Sequence, residues 1–314
     1  MIIFLVHILK NYGGVKPESL SADWAGQRIS LIDLKDVIKK LLFKNKKTAR
    51  TYAISYRYPR YGFGGLPKKM AEKFISLGGE IIVNEAVESF TYEDNKIKSV
   101  HTLSSVYEAK EIISTMPLNE MSKKLGHESG LKFRSLRFLC IGLDIEDFSP
   151  HTWQYVSDYD LLPTRIQEPK RRSPSMSPKG KSSIMLEIPC NKNDEIWNMD
   201  EKELLQIVLK DLKRLKFEIE DKIVDHFSFS TEHAYTLMDI DYNEKRDNTI
   251  SYLNNYENLI MAGRQGTFRY IFLDTAMETG LMAAQKILNN GSHTKEKIYN
   301  HRNEKTVIET KSVA

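Results

Sequence analysis

The chain has 314 residues, 41% of them hydrophobic and 28% charged, with a formal net charge of +4. That length allows two domains or one large one with a real core, and so mild a positive balance gives little support to a polyanion partner. Cys140 and Cys190 lie far apart and outside any CxxC spacing, which excludes a disulfide framework and favours a reducing, cytoplasmic compartment.

The opening MIIFLVHIL is apolar for nine residues, much too short to span a bilayer, and it lacks the basic start and cleavage signal of an export peptide. It reads as a strand or helix entering a core, with peripheral membrane contact or a start inside a longer protein as the other readings. Residues 30–43 have the pattern of an amphipathic helix, with Leu31, Leu34, Val37, Ile38, Leu41 and Leu42 at helical spacing behind Ser30 and Asp33. The run 35–50 carries seven basic residues against Asp36 alone, either a solvated face or an anion-binding patch.

Pro67 then suits the first turn of a helix. Met70, Phe74 and Leu77 line one side, and Gly78 or Gly79 closes it. Strands are expected at 80–83 and 86–92, a turn at Asp94-Asn95, a return strand through Ile97 and Val100, and a further strand at 109–115 ended by Pro117. From 121 to about 240 the texture changes to sheet strands around a proline-rich basic loop at 163–182. A helix over 201–217 follows, capped by Asp200 and Glu203. This block reads as a second, α+β domain inserted in the first. The last twenty or so residues have little apolar periodicity and read as a loose tail.

The stretch NLIMAGRQGTFRYIFLDTAMETG, residues 258–280, carries most of the chemistry. A buried strand at Leu259, Ile260 and Met261 leads to Gly263 and Gly266, which permit a sharp path and close backbone approach to a ligand. Asp274 precedes an expected helix with a capping box at Thr275 and Glu278, whose first-turn N–H groups attract a phosphate or another electron-rich group. Gly280, Ala283 and Ala284 keep one face thin, for close packing on a sheet or a flat ring. Asp274 has two readings that composition leaves open, a helix-start acid or an acceptor for sugar-like hydroxyls. Arg264 and Arg269 have the fork that fits phosphate oxygens.

Other chemistries find no constellation. His226 and His233, seven apart, lack a third ligand at recognisable spacing, so no metal is expected. No G-x-S-x-G elbow is present. No nucleic-acid recognition module is visible, and nucleic acid is not an expected partner.

YGFGGLPKKMAEKFISLGGEIIVNEAVESF, EIISTMPLNEM and GRQGTFRYIFLDTAMETGLMAAQKI together resemble the FAD-dependent amine oxidase and protoporphyrinogen oxidase-like family, related to UDP-galactopyranose mutase, over about residues 12–290. The resemblance implies an α/β fold with an α+β part: an incomplete FAD-binding Rossmann-like domain plus an inserted mixed-sheet substrate domain. Its implied division is 1–54 for a helical part of the substrate domain and 55–120 for part of the FAD-binding domain. Residues 121–244 are then the substrate domain, 245–290 the C-terminal FAD-binding part, and 291–314 a flexible tail. It implies FAD as cofactor, with Gly263 and Arg264 near the pyrophosphate or ring, Asp274 near the ribityl and pyrophosphate, and the Met277 amide at the helix mouth. Gly64 and Gly65 are implied near the flavin, Ala86 and Val87 at the adenine, Thr115 and Pro117 beside the cofactor, and Arg165 and Arg172 lining a small-molecule substrate pocket.

The sequence also departs from that pattern. The family begins with strand, Gly-x-Gly-x-x-Gly and helix, and Gly13-Gly14 and Gly62–Gly65 have the wrong spacing for it. The expectation is a chain equivalent to the C-terminal two-thirds of such a protein, with the first half lost or supplied in trans. The implied activity is hydride transfer from a C–N or C–C unit to flavin. The alternatives are a mutase-like flavin isomerase and a non-catalytic remnant or subunit.

Overall fold

A computed structural model describes residues 17–21, 58–289 and 293–301. The apolar opening nonapeptide, the amphipathic pattern at 30–43 and the basic run at 35–50 lie outside the described residues. In chain order the elements are α1 (Gly65–Ser76), β1 (Val87–Glu93), β2 (Lys96–Thr102), β3 (Val106–Glu108), β4 (Ile112–Ser114) and α2 (Leu118–Lys124). Then come β5 (Lys132–Leu143), β6 (Trp153–Tyr155), β7 (Arg165–Gln167), β8 (Ser182–Cys190), α3 (Glu195–Asn198) and α4 (Glu201–Arg214). The chain closes with β9 (Ile223–Leu237), α5 (Tyr242–Asn254), β10 (Leu259–Met261), α6 (Gly263–Gly266), α7 (Leu273–Ile287) and α8 (Lys295–Tyr299). The mixture is α/β. Among the described residues no helix is long and apolar enough to cross a membrane.

The chain divides into two compact units, the first Met1–Glu18, Tyr56–Ile82 and Phe133–Tyr235, the second Ser19–Ser55, Val83–Lys132 and Thr236–Ala314. The first is built on a five-stranded sheet in the order β6-β7-β8-β5-β9. The pairings β6–β7, β7–β8 and β8–β5 are antiparallel. Alternation along β8 sends Ile184, Leu186 and Ile188 to one face, where they join Leu139, Ile141 and Leu143 of β5 in the core. Helix α4 closes that core with Leu204, Leu205, Val208 and Leu212, a helical stripe in which each buried side chain contributes about 1.5–3 kcal/mol. Its start is the one expected, because the Asp200 carboxylate accepts from the amides of Lys202 and Glu203. It ends three residues earlier than the apolar spacing suggested, where Lys216 turns left-handed at φ 66°.

Glu168 ties the basic loop to this sheet. Its carboxylate is almost fully buried and accepts from the Phe148 and Ser149 amides, both at 2.9 Å, Ser182 Oγ at 2.6 Å and Arg171 Nε at 3.1 Å. Burial pushes its pKa up, but those hydrogen bonds outweigh it and hold the carboxyl below its ordinary value.

Helix α1 starts at Gly65 with Pro67 in its first turn and closes on Gly78, left-handed at φ 89°. None of its residues is buried, and Leu66, Met70, Phe74 and Leu77 are exposed. The strand expected at 80–83 does not form: Ile81, Ile82 and Val83 are exposed coil. A strand exists only through a neighbour that takes its backbone groups, and no described strand pairs there.

The second unit has a three-stranded antiparallel sheet β1-β2-β3 and a two-stranded parallel sheet β10-β4. The first hairpin turns at Asp94 and Asn95, both at positive φ, the geometry that a two-residue hairpin needs. Asn258 joins the two sheets. Its Oδ1 accepts from the Ile97 amide at 3.0 Å, its Nδ2 donates to the Ile97 carbonyl at 2.8 Å and the Lys110 carbonyl at 3.0 Å, and its own carbonyl takes the Ile112 amide at 2.8 Å. In the stretch read as a tail, Lys295–Tyr299 instead forms α8 with Ile298 and Tyr299 buried. Two apolar side chains on a five-residue helix are too few to show a period.

Glu168→Ala removes the acceptor for four donors and should cost about 3 kcal/mol, measured as a lower urea midpoint. Because the folded carboxyl is depressed, its stabilisation is present above the unfolded value of about 4.3 and is lost as pH falls below it through the folded value. Wild-type stability should therefore drop on acidification below about pH 4.3 more steeply than that of Glu168→Gln.

Candidate functional site

The site candidate in the second unit grows from the parallel pair. Ile112, Ile113 and Ser114 stand beside Leu259, Ile260 and Met261, all three of the latter buried. Parallel strands covered on both faces read as short apolar runs, which is how Leu-Ile-Met signalled β10. The outer edge of β10 is closed by α8, where the buried Tyr299 hydroxyl accepts from the Met261 amide at 3.4 Å. Burial pushes that phenol up to about 12, so it stays neutral.

At the end of β10 the backbone swings through Gly263, left-handed at φ 76°, into α6. The sharp path expected there is a single turn of helix. A Cβ on Gly266 would stand 3.0 Å from the Ser114 carbonyl oxygen and 3.4 Å from Thr115 Cα. Gly266 is therefore needed for packing on the end of β4, whereas a Cβ on Gly263 would meet only Thr115 at 3.7 Å. Phe268 follows at φ 52°, fully buried. A left-handed phenylalanine costs about 1–2 kcal/mol, sustained here by burial of its ring. Phe272 returns to extended backbone, and α7 begins at Leu273.

Helix α7 starts before Asp274 rather than after it, so the expected capping box does not form. The N-cap is Phe272, with no side-chain hydrogen bond. Asp274 lies in the first turn, exposed, and its Oδ1 accepts from the Thr275 amide at 2.9 Å. The amides of Leu273 and Asp274 have no partner among the described residues. Met277 sits one turn inside, where helical geometry directs its N–H to the Leu273 carbonyl, so the mouth amides are those of 273 and 274. Thr279 ties helix to turn: its hydroxyl accepts from the Gly263 amide at 2.9 Å and donates to the Ala276 carbonyl at 2.6 Å.

Positive charge gathers around this turn. The Arg264 guanidinium lies 4.2 Å from the Tyr270 ring centroid. Arg246 and Arg269 are both buried. Arg246 donates to the carbonyls of Thr267 at 2.9 Å and Tyr299 at 2.7 Å and to Asn300 Oδ1 at 3.3 Å. Burial, followed by the charge of Arg269, pulls it down to about 10, which leaves it cationic at neutral pH. Sequence reading missed Arg246, Phe268 and Thr279. Only the concentration of arginine in 246–269 hinted at the first.

The remaining expected residues fall elsewhere. Val87 opens β1 opposite Thr102. Gly64 and Gly65, at the start of α1, belong to the first unit, and a Cβ at either would meet nothing within 4 Å. Among the described residues no packing contact requires glycine at those two positions. His226 lies 3.7 Å from Glu201 and His233 packs on Phe133. Among the described residues no three His, Cys, Asp or Glu side chains group as a metal site. Burial raises the Cys140 thiol and pushes Cys190 to about 11, the opposite of an activated nucleophile.

Known proteins give this geometry a context. The sequence profile of the flavin-containing amine oxidoreductases matches residues 15–288. No curated protein matches the chain. Among solved structures, reduced UDP-galactopyranose mutase is similar with a TM-score of 0.76 and 17% identity, over 95% of this chain and 68% of that one. A protein from Exiguobacterium sp. 255-15 assigned as a protoporphyrinogen oxidase gives 0.55 and 14%, over 65% of this chain and 46% of that one. Putrescine oxidase bound to putrescine gives 0.50 and 14%, over 72% and 53%. At these identities the likeness shows the fold alone, and this chain spans between 46% and 68% of those structures' own length.

Thr279→Val leaves the Gly263 amide without its acceptor and should cost about 1–2 kcal/mol, read as a lower thermal midpoint. Thr279→Ser keeps the hydroxyl and should recover most of the loss.

Proposed function

The chain belongs to the flavin-containing amine oxidoreductase family, and we propose that the Gly263 turn with the start of α7 forms one wall of an FAD site. FAD is the cofactor of this family. The residues present fit an anionic cofactor. The observation that carries the reading is the uncapped start of the fifteen-residue helix α7, with two amides lacking partners among the described residues, at the end of a turn that carries Arg264 and Arg269. Aligned amides and the helix dipole favour an anion there.

Bound FAD would supply the two-electron acceptor for hydride removal from a C–N or C–C unit. The chain's own residues do the holding. The Leu273 and Asp274 amides would donate to phosphate oxygens, and Arg246, Arg264 and Arg269 would supply positive charge. Gly263 would let backbone approach the cofactor and Asp274 would accept from ribityl hydroxyls, while Gly64 and Gly65, in the other unit, enter from the resemblance alone. Val87 and Met277 follow from the resemblance alone.

A second reading, non-redox use of reduced flavin on a nucleotide sugar, is favoured by the TM-score of 0.76 to UDP-galactopyranose mutase.

The same proposal includes a partner. Ile112 and Ser114 bond toward β10, so the amide and carbonyl of Ile113 face the opposite edge of β4, where no described strand pairs and the side chain is exposed. An open edge of a parallel sheet takes a strand, and we assign it to a nucleotide-binding segment of the kind that a Gly-x-Gly-x-x-Gly pattern begins.

Titration of FAD with the purified chain, followed by flavin fluorescence, tests both parts. The expected result is saturable but weak binding, loosened about tenfold by Arg264→Gln. Tight stoichiometric binding would overturn the need for a partner. Absence of binding at millimolar FAD would overturn the flavin wall.

A further inference from the structure

The basic loop 163–182 looked like one patch in the sequence, and the structure sorts it. Lys170 reaches Glu146 at 3.1 Å and Asp147 at 3.6 Å, Arg171 pairs with Asp147 and Glu168 at 3.1 Å, Lys181 with Asp144 at 2.7 Å, and Arg165 with Glu187. Lys179 is exposed to solvent and needs no partner. Arg172 differs. It is half-buried, yet among the described residues its guanidinium meets no carboxylate and makes no hydrogen bond.

Two rings hold it instead. The Arg172 Cζ lies 4.8 Å from the Trp153 centroid and 5.6 Å from the Tyr58 centroid. Cation–π contacts of this kind use none of the guanidinium's five N–H donors as conventional hydrogen bonds. A second arginine, distant in sequence, is fixed to the same loop. Ser173 Oγ donates to the Arg60 carbonyl at 2.7 Å and Arg60 Nε donates to Ser175 Oγ at 3.0 Å. Arg60 likewise has no acid partner among the described residues. On edge strand β6, Trp153 and Tyr155 share one face by their i, i+2 spacing and remain 43% and 42% exposed.

We propose that Arg172, held by Trp153 and Tyr58 with Arg60 beside them, is a binding site for an oxyanion, phosphate or carboxylate, carried on a flat ring that stacks on the exposed aromatics of β6. A planar cation whose orientation is already set loses little freedom on taking a two-oxygen acceptor, and an exposed indole accepts a ring face. The site lies within the first unit and needs no flavin, so its failure and that of the flavin wall are separable.

Calorimetric titration of the purified chain at low salt tests it with two matched pairs, uridine 5′-monophosphate against uridine and benzoate against benzamide. At least one anion should bind, at least about tenfold tighter than its neutral counterpart. Binding confined to the nucleotide identifies phosphate, and binding confined to benzoate identifies carboxylate. Arg172→Gln should weaken the anion about tenfold, and Arg172→Lys nearly as much, because an ammonium lacks the planar fork. Arg60→Gln should have a smaller effect. Circular dichroism checks each fold, and Trp153→Leu, which keeps Arg172 but removes its main platform, carries the test if Arg172→Gln does not fold. No anion binding at millimolar concentration, or equal affinity in wild type and a folded Arg172 variant, overturns the proposal.

Discussion

Three paired residues on each of two strands position the candidate cofactor wall. Ile112, Ile113 and Ser114 are brought beside Leu259, Ile260 and Met261 by a chain that has meanwhile built an entire second sheet. So short a parallel pairing is weak alone, and the second unit reinforces it on all the sides it can reach. Asn258 stitches it to the β1-β2-β3 sheet, Tyr299 covers the far edge of β10, and Gly266 lets α6 sit directly on the end of β4. The Gly263 turn and the first amides of α7 inherit their position from that junction. Local preference does not explain it, since Phe268 is left-handed within the same loop and is tolerated only because its ring is buried.

The apolar surface that remains uncovered gives the fold its second constraint. Helix α1 has an amphipathic pattern with nothing described against its apolar side, and Ile81, Ile82 and Val83 continue that exposure past its end. Exposed apolar runs of this kind usually mark a place for another polypeptide segment. Glu168 and Asp211 in the first unit are hydrogen-bonded despite burial, as is Arg246 in the second.

What was legible in the sequence was what periodicity and terminal signals encode. The α4 stripe, the Asp200 cap, the Asp94-Asn95 hairpin and the Leu-Ile-Met strand all appear where local pattern put them, because each depends on neighbours within a few residues. The turn around 263–274 was legible as a glycine-rich approach to a helix, but not in its register: α7 begins at Leu273, and the acid read as preceding it lies in its first turn. Thr279 reaching back sixteen residues to Gly263, and Arg246 gathering carbonyls from Thr267 and Tyr299, rest on tertiary closure that no window shows. The strand read at 80–83 failed for the converse reason, since its apolar run is real and its neighbour is absent from the described residues. The basic loop misled in a third way: charge counts cannot reveal that nearby acids take up most of it and leave Arg172 to two aromatic rings.

The most direct measurement of the flavin wall is hydrogen–deuterium exchange of the chain with and without saturating FAD. Protection concentrated in peptides covering 262–276, where the Gly263 turn meets the first amides of α7, is the result that the account predicts. Unchanged exchange there, at an FAD concentration that demonstrably binds, would contradict it.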